Sequence, residues 1–147
     1  MKTANLKNRA AAAAVSVVSG ALVAAGPQSL FKICDQSHHA HTGGFSTCYY
    51  TAQAEIGIGI VLALLGIAYL LFSNPDTHIG LTIGIALGAL LAFLAPNALI
   101  GMDSDPMMAC LTATLPALNI ITIATFLFAA GNIIYLTRKT QRSEVVA

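Results

Sequence analysis

The side chains with chemistry of their own gather in two polar stretches. The first, CDQSHHAHTGGFSTCYY at 34–50, holds Cys34, His38, His39, His41 and Cys48. Two cysteines with 13 residues between them, facing an oxidising compartment, most simply form a disulfide. In the chain-entropy account a loop of this size contributes about 3 kcal/mol. The same residue types suit zinc or copper, but the spacing matches no standard zinc pattern and a disulfide would remove the thiolates. The histidines alone remain a candidate metal set, or a solvated loop. The second stretch, NALIGMDSDPMMAC at 97–110, holds Met102, Met107, Met108 and Cys110. Thioether and thiolate select Cu(I), whereas methionine at a membrane surface is more often apolar filler. Cys110 is the odd cysteine of three, free, bridged to a partner or competing for Cys34 or Cys48.

Next to the first stretch, TAQAE brings Gln53 and Glu55 to the mouth of an apolar run. With Thr51 as N-cap, Glu55 would lie one turn into a helix, where the dipole favours an acid by about 0.3–1 kcal/mol. The alternative is an acid facing a bundle interior, paired with a partner or an ion.

These residues need elements to position them, and the composition says of what kind. Of the 147 residues 56% are hydrophobic and 9% charged, and the mean hydropathy is +0.77. Soluble domains carry about 25% charged residues, so a water-soluble fold is excluded. A net charge of +1 offers no argument for nucleic acid. Apolar runs at 10–31, 52–72, 79–95 and 115–137 meet or approach the roughly 20 residues a helix needs to cross about 30 Å of hydrocarbon. The expectation is an all-α integral membrane protein in a lipid bilayer, a single bundle of four transmembrane helices with a short tail at 138–147.

Six of the seven lysines and arginines precede the first run or follow the last; Lys32 is the exception. The positive-inside rule then puts both termini in the cytoplasm, and the 34–50 and 96–114 loops outside a bacterial or archaeal cytoplasmic membrane. The first run has a competing reading as a signal peptide, with Val23-Ala24-Ala25 before Gly26 as a small-residue cleavage site. Its length and the following Pro27 favour retention.

Packing signals accompany the spans. Gly80, Gly84, Gly88 and Ala92 recur every four residues on one helix face, which suits close approach to a neighbour in this bundle or in another subunit. Asn119, Thr122, Thr125 and Asn132 share one face of the fourth helix, a stripe that is usually hydrogen-bonded interior. Asp76 or Thr77 is expected to cap the third helix, Pro96 to end it, and Pro116 to sit in the first turn of the fourth.

LFKIC, the C-x2-TAQAEIGIG segment and MMACLTATLPAL resemble a family of small bacterial and archaeal membrane proteins, domain-of-unknown-function family 4418. The likeness covers about 15–136 and rests on Cys34, Cys48, Thr51, Gln53, Glu55, Cys110, Thr114 and Pro116. The chain departs from the family pattern around Ser46, Thr47 and Tyr49, and at Met102 where a further cysteine is usual. That weakens a second disulfide or a four-cysteine site. The resemblance implies association with ABC transporters that have a large extracytoplasmic permease.

Three functions follow as expectations. The first is a non-enzymatic accessory subunit of a membrane transporter complex, bound to a permease such as that of an ABC transporter, or to a second copy. The second is an outward-facing binder of copper, zinc or haem through the His/Cys/Met loops. The third is a membrane thiol–disulfide oxidoreductase, which would lack the usual C-x-x-C pair.

Overall fold

The computed structural model describes residues 2–26, 47–100 and 115–145. Among them every regular element is a helix: α1 (Lys2–Ala25), α2 (Thr47–Leu71), α3 (Pro75–Leu94) continued by a π-helical turn (Ala95–Leu99), and α4 (Leu115–Val145). Each of the four is long and apolar enough to cross a membrane. Their surfaces agree with that environment. Leu64, Leu71, Ile120 and Leu127 are each more than half exposed, and large apolar side chains facing lipid cost nothing that burial would recover.

Several helix ends differ from the sequence expectation, each for a local reason. α1 begins at Lys2 rather than at 10, and α4 runs to Val145. Charged residues close a hydropathy run, but Lys, Arg, Gln and Glu are good helix formers, so the helix continues past the apolar part. α2 starts at Thr47, which makes Thr51 an interior residue instead of an N-cap. α3 takes Asn74 as N-cap with Pro75 at its first position, so Asp76 and Thr77 lie inside its first turn and do not cap it. Proline there gives up an N–H that has no intrahelical partner anyway. Pro96 does not end α3 outright. Lacking an N–H and crowding the carbonyl one turn back, it widens the helix into the π turn, closed by Ile100 N–H donating to Ala95 O at 3.0 Å.

α1 packs chiefly on α2 and α3 on α4. The α1–α2 seam is a backbone contact. A Cβ built on Gly20 would lie 2.6 Å from both Ala63 N and Gly59 O, and one on Gly59 would lie 2.5 Å from Ala24 N. Glycine is what lets two helices come this close in lipid, where packing replaces the hydrophobic drive. The two apolar clusters fix the topology. One joins Ala12, Ala13, Leu62, Tyr69, Ile85, Ala86 and Ala129; the other joins Val23, Ala92 and Leu118. Relative to the second cluster, the first lies nearer the start of α1, the end of α2, the start of α3 and the end of α4, which is an up-down-up-down bundle.

The α3 small-residue series divides. Gly84 and Gly88 face Leu65 and Leu62 of α2, and a Cβ added to Gly88 would lie 2.8 Å from Leu62, whereas Gly80 faces open space. Ala92 is wholly buried. From Gly84 to Ala92 that face is occupied within the bundle.

Candidate functional site

Two polar constellations lie inside the bundle, one toward each end. The first is built on the buried stripe of α2: Thr51, Ala52, Glu55, Gly59, Leu62, Gly66 and Tyr69. Steps of three and four keep these on one face. Glu55 is 0% exposed, and neither Oε1 nor Oε2 has a hydrogen-bond partner among the described residues. Of the two positions anticipated for this acid, the bundle interior is where the structure puts it. Because α2 begins at Thr47, Glu55 lies past the first turn, where the dipole effect has fallen off. Gln53, two residues away and so about 200° around the helix, is exposed; it does not share a site with Glu55.

No described cation reaches this carboxylate. Arg9 reaches α2 at the opposite end, donating from Nη2 to Leu70 O at 3.2 Å and Phe72 O at 2.9 Å. Fifteen residues of helix separate Leu70 from Glu55, about 22 Å at 1.5 Å per residue. Val23, Ala92 and Leu118, the buried cluster against Ile58 one turn further along α2, bring no charge from the other three helices.

The second constellation clasps all four helices. Asn132 of α4 donates from Nδ2 to Tyr69 Oη at 3.1 Å and to Thr82 Oγ1 at 3.3 Å, and its Oδ1 accepts from Asn8 Nδ2 at 3.1 Å. Thr82 in turn donates to His78 O at 2.6 Å. The His78 ring stacks on Tyr69, centroids 4.5 Å apart at 10°, and its Nε2 meets Phe72 O at 2.8 Å; a carbonyl only accepts, so that nitrogen carries the proton. Buried polar groups satisfied in this way hold helices in one register. Of this set the sequence singles out Asn132 alone. Asn8, Tyr69, His78 and Thr82 look like flanks and filler along the chain. The signal available was at least one polar residue on every helix, all at the same end of an up-down bundle.

The rest of the α4 stripe is spent mostly on its own helix: Thr122 and Thr125 donate to Leu118 O and Ile121 O. Asn119 accepts from Asn97 Nδ2 at 2.8 Å, tying the π turn to α4. Ser16, Ser19 and Thr82 also return their hydroxyls to carbonyls of their own helices. The loop candidates Cys34, His38, His39, His41, Met102, Met107, Met108 and Cys110 lie outside the described residues. Cys48 sits in the first turn of α2, with its side chain outside them.

What this arrangement can do chemically differs at the two ends. The clasp has its donors and acceptors paired, which makes it an architectural device. Glu55 has charge capacity with no described counterpart, so it is the candidate for binding.

No curated protein and no solved structure matches the chain. The profile of a domain of unknown function, DUF4418, matches residues 16–135. That match runs from the α1–α2 seam to beyond Asn132 and covers far more than half the chain, so this protein belongs to the DUF4418 family.

Proposed function

We propose that this four-helix membrane protein is a non-enzymatic accessory subunit that packs beside a larger membrane protein, the permease of a transporter complex such as an ABC transporter. In this reading it resides in a bacterial or archaeal cytoplasmic membrane, with the termini and their six cations on the cytoplasmic side.

The supporting observation is a set of exposed glycines. Gly57 of α2, Gly80 of α3 and Gly131 of α4 are exposed, and a Cβ at any of them would meet nothing within 4 Å. Each costs about 1 kcal/mol of helix propensity relative to alanine, and the described part of the bundle makes no use of the space. Small residues on a lipid-facing surface are where a further helix can approach backbone to backbone. The permease as occupant comes from the family resemblance.

The test is co-purification in a gentle detergent with Gly57→Leu, Gly80→Leu and Gly131→Leu. The added side chains fit free space, so the monomer keeps its fold while recovery of the partner falls at one or more positions. Isolation of the chain always alone refutes the proposal, as does isolation only as a homo-oligomer or partner recovery unchanged in all three variants.

A further inference from the structure

The buried side-chain polar atoms without a partner, among the described residues, are Arg9 Nε and the two oxygens of Glu55. Arg9 is otherwise engaged at the far end of α2. Glu55 has no such engagement among the described residues, and it is fully enclosed. A carboxylate in a membrane bundle is held by pairing it with a positive species. Described Arg9, His78 and Arg138 belong to the opposite end, where Asn8 meets Asn132. With Glu55 0% exposed, the closed bundle leaves no room beside it for a lysine or arginine of a neighbouring protein. The stoichiometry of charge narrows the choice further. One carboxylate balances one positive charge; Asp76, the other acid with a described side chain, is exposed at the start of α3. With the described acids alone, a divalent ion would stay half uncompensated.

We propose that Glu55 is the acid of a monovalent-cation site inside the bundle, taking a proton or a sodium ion. The site goes beyond the accessory-subunit reading and does not depend on it. Thr51, buried one turn away on the same face of α2, places a hydroxyl-bearing residue next to the acid. Gly59, one turn to the other side, is where α1 lies against α2.

The experiment uses the full chain in native membranes and the apolar reagent dicyclohexylcarbodiimide. A protonated carboxyl gives its proton to a carbodiimide nitrogen and its oxygen to the central carbon. Acyl migration from oxygen to nitrogen then leaves a stable N-acylurea, with nothing oxidised or reduced. Peptide mass spectrometry should find this adduct on Glu55, several-fold more at mildly acid than at mildly alkaline pH, and absent in Glu55→Gln. Sodium chloride, but not potassium chloride, suppresses the adduct several-fold if the occupant is sodium; neither salt changes it if the occupant is a proton. The proposal is overturned if Glu55 stays unmodified in membranes at both pH values yet reacts after unfolding in dodecyl sulfate. It is equally overturned if the adduct appears only in Lys32→Ala, which would make Lys32 the counter-charge.

Discussion

Replacing Gly20 by alanine probes the α1–α2 seam with the smallest change available, one methyl group. The new Cβ would sit 2.6 Å from Ala63 N and from Gly59 O, both backbone atoms, where ordinary contact begins near 3.4 Å. No side chain can rotate out of the way, so the two helices must part by about 0.8 Å at this point. Overpacking of this kind costs about 1–3 kcal/mol. Alanine returns about 1 kcal/mol of helix propensity, so the net destabilisation is about 0–2 kcal/mol. Gly131→Ala is the matched control, since its Cβ meets nothing within 4 Å; it gains propensity without strain and should be more stable than the parent by up to about 1 kcal/mol. The difference between the two variants, about 1–3 kcal/mol, is the quantity that matters because the chemistry of the change is identical. Unfolding by dodecyl sulfate in mixed micelles, followed by circular dichroism, would measure it. Equal stability of the two variants, or Gly20→Ala as the more stable, would refute a backbone-to-backbone seam.

Asn132→Leu should destabilise the bundle by about 2 kcal/mol, from three interhelical hydrogen bonds at about 0.6 kcal/mol each in a membrane. A double-mutant cycle with Tyr69→Phe should show coupling, and strict additivity would contradict the 3.1 Å contact. Thiol alkylation of unreduced protein should label Cys110 and leave Cys34 and Cys48 unlabelled until a reductant is added; labelling of all three at once would mean that no disulfide joins the pair. The mature protein should retain α1, because removing it would expose the glycine seam of α2. Mass spectrometry that finds an N-terminus at Gly26 would show otherwise.

The number and order of helices were legible because lipid imposes a length and a composition on any segment that crosses it. Their ends were less so. A hydropathy run stops at the first charge, whereas the hydrogen-bond ladder of α4 continues to Val145. Thr51 illustrates the consequence. It had the residue type of an N-cap, yet α2 starts a turn earlier, which shifts Glu55 from the helix mouth into the interior. Glycine spacing was legible as a face on α3 suited to a neighbouring helix, and from Gly84 to Gly88 that neighbour is α2. The tightest contact joins Gly20 of α1 to Gly59 of α2, small residues far apart in the chain.

By itself the amino-acid sequence determined the membrane class, the four spans, their polar connecting stretches and the family. Each of these follows from local composition or from motifs read along the chain. Tertiary structure alone decided that Gln53 faces outward while Glu55 is sealed without a partner among the described residues. It alone brought Asn8, Tyr69, His78, Thr82 and Asn132 into one clasp. The reason is physical: hydrogen bonding here spans up to 124 residues of sequence separation, and which partners meet depends on the rotation of each helix about its own axis. Periodicity defines a face, and only packing selects what that face meets.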